Sequence, residues 1–222
     1  MIDLERHDGG VCVLRMRDGE NRFTNEFLGR FSAALDEVER SEGPAALVTT
    51  GDGKFWSNGL ALDALAGRSA AEVGAYLREV HRLFARVLAF PRATVAAIGG
   101  HAFAGGAMLA LAHDFRVMRA DRGFVCLPEV DLRLPLQPGM TALIAARLPA
   151  QAAHEAIVTG RRYGGADALA RGIVDEAVAE AEVLPRAIER ARELAGKDPA
   201  TLAALKRGLY AGALAVLEAP GV

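Results

Sequence analysis

The segment GGHAFAGGAMLALAHD, residues 99–114, places glycines directly before an apolar run of helical character. It contains no lysine, serine or cysteine that could act on a substrate. Glycine has no Cβ and tolerates positive φ, so glycines before a helix let the backbone approach a ligand closely. The segment therefore predicts a loop whose main-chain N–H groups bind an oxygen that carries or acquires negative charge.

Two nucleotide-binding patterns fail at this loop. A phosphate loop needs Gly-Lys-Ser/Thr, and no such triplet follows Gly105 and Gly106. The dinucleotide fingerprint also fails, because Gly100, Gly105 and Gly106 have the wrong spacing and no ribose-binding acid follows. An oxyanion hole, in which backbone N–H groups stabilise charge on a carbonyl oxygen, remains open.

A second loop, GDGKFWSNGLALDAL at residues 51–65, also follows a strand-like run and leads into a predicted helical turn. If the N–H groups of Leu60 and Gly105 converge, they supply two fixed donors for one oxygen, reinforced by the positive end of the helix near Gly105. The alternative is that both loops are ordinary turns in which glycine relieves strain.

The third feature is an acid in the segment GFVCLPEVDLRLPLQPGM, residues 123–140. Glu129 stands there in an apolar, proline-flanked setting. Burial raises the pKa of a carboxyl group, and such a group can accept and return protons. Alternatively, Glu129 is a solvated acid or a helix-cap partner, and Asp131 could equally be a surface acid.

The composition limits the classes of function. The chain has 222 residues, of which 51% are hydrophobic, enough for one domain with a full core. Its net charge of −2 and the absence of a dense Lys/Arg block argue against nucleic acid or an anionic membrane as partner. Cys12 and Cys126 lie in apolar runs and are expected to be buried, reduced thiols. No signal-like hydrophobic segment is present, so we expect a cytoplasmic protein.

Strand-like and helix-like segments alternate along the chain, which predicts an α/β fold. The strand candidates are 10–16, 45–51, 93–100, 114–119 and 172–178. The helix candidates are 25–40, 69–89, 104–113, 138–148, 150–159, 164–171, 181–195 and 199–216. The helix at 69–89 has an apolar stripe near the 3.6-residue period, formed by Val73, Leu77, Val80, Phe84 and Val87.

Three segments together resemble the enoyl-CoA hydratase/isomerase family, also called the crotonase superfamily. They are FWSNGLALDAL (55–65), AAIGGHAFAGGAMLALAHDFRVMRADRGFVCLPEVDLRLPL (96–136) and AIVTGRRYGGADALARGIVDEAV (156–178). The resemblance implies a crotonase-like spiral of β-β-α units with a helical C-terminal region. It divides the chain into a core at 1–195 and a helical segment at 196–222, short for the family. It also implies acyl-CoA thioester substrates and a homotrimer or dimer of trimers.

The resemblance assigns the oxyanion-hole donors to the N–H groups of Leu60 and Gly105. Hydratases of the family use two glutamates, but the first position here is Met108 and only the second, Glu129, is retained. Adding water needs help with both the water and the incoming proton, whereas a double-bond shift needs one base that moves a proton from C2 to C4. The arrangement therefore resembles the Δ3,Δ2-enoyl-CoA isomerases, with Glu129 as the catalytic residue.

An apolar wall around Glu129 would exclude water; we expect it to be formed by Met108, Leu127, Leu134 and Leu136. Coenzyme A is part of the substrate, so no separate cofactor is expected. No His/Cys/Asp cluster has metal-ligand spacing, so no metal is expected either.

Other polar residues have weaker assignments. Lys54 either touches a CoA phosphate or is merely solvated. Asp63 is displaced by one residue from an acid common in the family, and His101 and His113 are expected to be packed or capping residues.

Two rival functions stay open at this level. One is another reaction within the family, such as hydration, thioester hydrolysis or decarboxylation. The other is a non-catalytic acyl-CoA-binding protein that has kept the fold.

Overall fold

The computed structural model describes residues 1–219. It contains a large and a small β-sheet, whose strands largely alternate along the chain. The large sheet has six strands, in spatial order β1 (Ile2–His7), β2 (Val11–Met16), β4 (Ala46–Gly51), β7 (Ala93–Ile98), β9 (Phe115–Arg119) and β12 (Glu176–Val178). The small sheet has the order β11 (Arg162–Tyr163), β10 (Val125–Cys126), β8 (His101–Phe103) and β5 (Phe55–Ser57). A separate pair is formed by β3 (Arg22–Phe23) and β6 (Gly59–Leu60).

The helices complete a repeating pattern. They are α1 (Asn25–Glu39), α2 (Ala70–Leu88), α3 (Gly105–Ala112), α4 (Glu129–Leu132), α5 (Pro138–Arg147), α6 (Ala150–Thr159), α7 (Gly165–Ala170), α8 (Glu180–Leu194), α9 (Pro199–Leu209) and α10 (Ala211–Leu217), with a 3-10 helix at Leu62–Leu65. The large-sheet strands β4, β7 and β9 are each followed by a small-sheet strand and then a helix. The predicted α/β spiral of β-β-α units is therefore confirmed.

The central strands β4 and β7 of the large sheet are buried on both faces, which explains why they read as nearly continuous apolar runs. One face packs against α8 through small residues such as Ala187 and Ala191. The other face packs against α1, α2 and α3 in the larger hydrophobic core. Both cysteines are buried and unpaired, as predicted.

The predicted helix at 199–216 is wrong in one respect, because it is two helices. The break falls at Tyr210, whose φ of −106° and ψ of 19° lie outside the helical range, and α9 and α10 meet at 84°. The bend lets α10 pack against α2 and α5 instead of projecting from the molecule. Residues 220–222 of the predicted C-terminal segment lie outside the described residues.

Two further comparisons with expectation concern strands and membrane spans. The strand expected at 172–178 is confined to Glu176–Val178. Within residues 1–219 no single helix is both long and apolar enough to cross a bilayer; α9 and α10 meet those criteria only when joined across their bend.

Candidate active site

A cavity of about 500 Å³ lies at the carboxyl ends of the small-sheet strands. The strands β5, β8 and β10 run parallel, so the loops that follow them leave from the same edge. Those loops deliver Leu60, Ala104 and Glu129 to the cavity wall. The rest of the wall comes mainly from apolar side chains of α2, α3, α4 and α5 and the connecting segments, including Val73, Leu77, Met108, Leu132, Leu134, Leu136 and Met140.

The two glycine-bearing loops touch backbone to backbone. A Cβ at Gly59, where φ is +75°, would lie 2.6 Å from the Gly105 nitrogen. A Cβ at Gly106 would lie 2.2 Å from the Ser57 carbonyl oxygen. Such distances are far inside normal contact, so only glycine permits this approach. The glycines therefore bring the backbone of Gly59 and Leu60 against the start of α3.

The residue before α3 has a strained backbone. Ala104 has φ of 50° and ψ of −124°, a conformation that side chains with a Cβ rarely adopt. Its own N–H donates to the Cys126 carbonyl at 3.0 Å, which ties it to β10. Gly105 follows as the first residue of the helix, where an N–H group has no intrahelical acceptor. This backbone conformation turns the chain, so the N-terminal end of α3, where the helix dipole is positive, faces the cavity.

The loop that carries Leu60 is held by side chains from elsewhere in the chain. The Asn21 amide, fully buried, donates to the carbonyls of Phe55 and Trp56 at 3.2 and 3.1 Å. The Ser57 hydroxyl donates to the Asn21 carbonyl at 2.7 Å and accepts the Gly59 N–H at 3.2 Å. These bonds fix the loop on the side facing away from the cavity.

Tyr76 fixes the other end of the same loop. Its hydroxyl donates to the Phe23 carbonyl at 2.6 Å and accepts the Ala61 N–H at 3.3 Å. Burial raises the pKa of this phenol to about 12, so it stays protonated and keeps donating. Sequence reasoning missed both Asn21 and Tyr76, since neither has a motif of its own.

Glu129 is half-buried at the start of α4 and lines the cavity. Its Oε2 atom is buried and accepts no hydrogen bond from the described residues. Burial raises the pKa of the carboxyl above its ordinary 4.5, opposed in part by a hydrogen bond from its own backbone N–H. The helix is closed by the Leu134 N–H, which donates to the Glu129 carbonyl at 3.0 Å. The Glu129 carboxyl group is therefore carried by a fixed backbone, has one oxygen without a hydrogen-bond partner among the described residues, and has a raised pKa.

The expected apolar wall is only partly where the sequence placed it. Met108, Leu134 and Leu136 line the cavity, but Leu127 does not. Leu127 is 2% exposed and belongs to the hydrophobic core. It precedes the turn at Pro128 that brings Glu129 to the cavity, so its side chain stays on the core side of that turn.

The structure does not bring Lys54 or Asp63 into this cavity. Lys54 precedes β5, at the opposite end of the small sheet, where it lines a separate cavity of about 330 Å³. Its Nζ lies 5.2 Å from the centre of the Phe55 ring. Asp63 is exposed and pairs with Arg22 at 2.8 Å. Asp131, the second acid near Glu129, is also exposed.

The two histidines beside the glycine loop are packed residues. His113 is fully buried, with Nδ1 2.8 Å from the Leu109 carbonyl and Nε2 2.8 Å from the Thr49 hydroxyl. Burial lowers its pKa to about 3, so it is neutral at physiological pH. His101 stacks on Phe124 with ring centres 5.5 Å apart. Across residues 1–219 no three His, Cys, Asp or Glu side chains are grouped to hold a metal ion.

Four polar residues of the cavity wall were not anticipated: Arg22, Asn58, Gln137 and Arg162. Asn58, Gln137 and Arg162 lie inside quoted segments and Arg22 lies outside them, and no local pattern marks a polar residue as facing a cavity. A second cavity, of about 550 Å³, lies beneath α9 and is lined by the paired Asp114 and Lys206 and by Arg147, Lys197 and Asp198. Unlike Glu129, neither acid has a buried oxygen without a hydrogen-bond partner among the described residues. The size of this cavity therefore does not make it a better candidate.

Comparisons with known proteins show the family of the chain and its fold. A family model described as enoyl-CoA hydratase/isomerase matches residues 6–219. The Arabidopsis thaliana protein enoyl-CoA delta isomerase 2, peroxisomal, is 33% identical over 95% of this chain and 92% of its own length. The structure of the probable enoyl-CoA hydratase ECHA3 from Mycobacterium tuberculosis is 31% identical, with a TM-score of 0.90 over 97% of this chain and 91% of that one. That of human mitochondrial delta3-delta2-enoyl-CoA isomerase is 25% identical, with a TM-score of 0.90 over 96% and 84%.

Proposed function

Because this chain belongs to the enoyl-CoA hydratase/isomerase family, we propose that it moves the double bond of a 3-enoyl-CoA thioester to give trans-2-enoyl-CoA. One observation carries the proposal. Among the described residues that line the cavity, Glu129 is the only carboxylic acid, and Met108 lines it from α3, where a hydratase of the family would have its other glutamate. The supply of acid–base groups suits a proton shuttle better than the addition of water.

The first step is proton abstraction. The thioester oxygen lies between the N–H groups of Leu60 and Gly105, and the Glu129 carboxylate takes a proton from C2. The electrons of the C2–H bond enter the conjugated system, and negative charge develops on the thioester oxygen of the dienolate. An oxyanion-hole donor contributes about 10² to 10³ in rate, and a placed acid–base group about 10² to 10⁴. Neither contribution alone suffices, so both loops and Glu129 are needed.

The second step returns the same proton. The Glu129 carboxylic acid protonates C4, the double bond forms between C2 and C3, and the thioester carbonyl is restored. Glu129 ends as the carboxylate with which it began. The apolar side chains of Met108, Leu134 and Leu136 keep water from the dienolate and slow the loss of the proton to solvent.

The test compares two reactions on one preparation. We expect the protein to isomerise 3-hexenoyl-CoA and to hydrate crotonyl-CoA far more slowly. Faster hydration than isomerisation would contradict the proposal and favour the hydratase names found among the relatives. A rise in melting temperature with acyl-CoA and no conversion of any thioester would instead indicate a non-catalytic binding protein.

Location and assembly are part of the same proposal. We propose that the enzyme works in the cytoplasm, as a homotrimer or dimer of trimers, with coenzyme A entering only as part of the substrate. The family resemblance supports the assembly, while the peroxisomal name of the Arabidopsis relative concerns that protein. Light scattering coupled to gel filtration measures the oligomeric state, and a monomer would contradict it.

A further inference from the structure

Two cations line the cavity, one from the small sheet and one from the separate β3–β6 pair. The sheet order places β11, which carries Arg162, at one side and β5 at the other. The separate β3–β6 pair carries Arg22, which also lines the cavity. Neighbouring strands lie about 4.8 Å apart, so the edge from β11 to β5 spans about 14 Å. These two arginines are the only positively charged residues among the described cavity wall.

The charge of Arg22 is already balanced. Its guanidinium lies 2.8 Å from a Glu20 carboxylate oxygen and 2.8 Å from one of Asp63. A group with two carboxylates in contact has little attraction left for another anion. Arg22 is therefore the weaker of the two candidates for binding a charged group of the substrate.

The charge of Arg162 is not balanced in this way. No Asp or Glu oxygen in residues 1–219 lies within 4.0 Å of its side-chain nitrogens, whereas the adjacent Arg161 pairs with both Glu155 and Asp167. Arg162, an exposed residue, thus lines the cavity with a guanidinium that no carboxylate of residues 1–219 neutralises.

The register of the small sheet explains how Arg162 is aimed. Cys126 pairs with Arg162 on one side and with Phe103 on the other, so the three residues form one row across the sheet. The small Cys126 side chain lets the arginine extend across it, and the guanidinium lies 5.6 Å from the centre of the Phe103 ring. A guanidinium that lies over an aromatic ring can still donate to an anion through its N–H groups.

We propose that Arg162 binds an anionic group of the thioester ligand at the β11 end of the cavity. The group is either a phosphate of coenzyme A or a carboxylate at the far end of the acyl chain, since both present paired oxygens that a guanidinium can engage. The inference rests on the proposed function only in taking a CoA thioester as the ligand.

Four unreactive probes distinguish the two sources. They are hexanoyl-CoA, hexanoyl-pantetheine, adipoyl-CoA and adipoyl-pantetheine, which vary the phosphates and the terminal carboxylate independently. Calorimetry measures the dissociation constant of each probe for the wild type, Arg162→Gln, and the matched control Arg161→Gln, whose arginine lies outside the cavity. Saturated probes require no turnover, so failure of the proposed isomerase reaction leaves this test intact.

The expected result is a loss confined to Arg162→Gln and to one anion. A phosphate contact weakens both CoA probes by roughly 3- to 10-fold and leaves both pantetheine probes unchanged. A carboxylate contact weakens both adipoyl probes by a similar factor and spares both hexanoyl probes. In either case the affected probe binds wild type with a steeper salt dependence than it binds the variant.

Two results would overturn the proposal. Equal affinity of Arg162→Gln and wild type for all four probes would mean that the guanidinium touches no anion of the ligand. Equal weakening of all four, including hexanoyl-pantetheine, would mean that the arginine supports the shape of the cavity rather than binding charge.

Discussion

Glu129 and Lys206 each place a charged atom away from water, but the two atoms differ in their hydrogen-bond partners. Lys206, 6% exposed on α9, donates to the carbonyls of Phe90 and Arg92 at 3.0 Å each and to the Asp114 carboxylate at 2.6 Å. Glu129 has a buried oxygen with no partner among the described residues. A buried charge costs stability unless it is paired, so the first arrangement holds the structure together and the second keeps a group available for chemistry.

The same contrast extends to the backbone around each group. Near Lys206, Arg147 donates to the carbonyls of Leu111, His113 and Asp114 at 2.8 Å each, and its guanidinium also bonds the Tyr210 hydroxyl. Near Glu129, the chain has a strained Ala104 and glycines packed closer than any other residue allows. The C-terminal helices are held by satisfied hydrogen bonds, whereas the candidate active site has a strained backbone at Ala104 and a Glu129 oxygen without a hydrogen-bond partner among the described residues.

Substitution of Lys206 gives the largest expected effect on stability. Lys206→Met leaves Asp114 buried without its ion partner, which lowers the free energy of unfolding by about 3–5 kcal/mol. Chemical denaturation measures it. The control is Arg207→Met, an exposed neighbour paired at 3.4 Å with Glu218, where we expect a change below about 0.5 kcal/mol. Equal losses of stability in the two variants would mean that the Lys206–Asp114 pair contributes no more than an exposed ion pair.

Among substitutions that act through the backbone, that of Gly59 has the largest expected effect on kcat. In Gly59→Ala the new Cβ forces the loop away from Gly105, so the two donors no longer share one oxygen and kcat falls by about 10² to 10³. Gly43→Ala is the matched control, because Gly43 also has positive φ, +74°, but nothing within 4 Å of a Cβ. Its kcat should stay at the wild-type value. A wild-type kcat for Gly59→Ala would show that the close approach is not needed.

A smaller effect is expected at Asn21. Asn21→Gly tolerates the residue's φ of 49° but removes the amide that holds the Phe55 and Trp56 carbonyls. The loop carrying Leu60 loosens, so we expect kcat for 3-hexenoyl-CoA to fall roughly tenfold while KM changes little. A rise in KM at constant kcat would place Asn21 in substrate binding instead.

The smallest effect is a gain in stability at Glu129, and its pH dependence has a defined sign. Burial raises the native pKa above the ordinary 4.5, so the native state holds this proton more tightly than the unfolded chain does. Burial of the charged carboxylate therefore destabilises the native state. This destabilisation is fully present above the raised pKa and disappears as the pH falls to about 4.5. Glu129→Gln should therefore raise Tm by about 2–4 °C at pH 7.5, with the gain vanishing near pH 4.5. If the gain in Tm is the same at both pH values, burial of the charged carboxylate is not its cause.

The long elements could be predicted from the sequence because each had room for a full period. The apolar stripe at 69–89 predicted helix α2. The structure was needed only to show which of its side chains face the core and which face the cavity. Val80, Phe84 and Val87 are buried in the core, while Val73 and Leu77 line the cavity. Apolar spacing reports burial against something, and a ligand cavity gives the same signal as a core.

The short elements and the polar wall could not be predicted. Strands β5, β8, β10 and β11 have two or three residues each, too few for any alternation to show. Whether Lys54 or Arg162 faces the cavity depends on which end of such a strand carries it. At the bend, the Tyr210 hydroxyl accepts a hydrogen bond from Arg147, 63 residues away in sequence, a contact that no local pattern predicts.

The central claim is that one carboxylate, Glu129, moves the proton while two main-chain amides hold the charge. The most direct test is turnover of 3-hexenoyl-CoA by Glu129→Gln, with hexanoyl-CoA affinity measured on the same protein. We predict that kcat falls by about 10² to 10⁴ and that the dissociation constant stays within about twofold of the wild type. Wild-type turnover by Glu129→Gln would contradict the account.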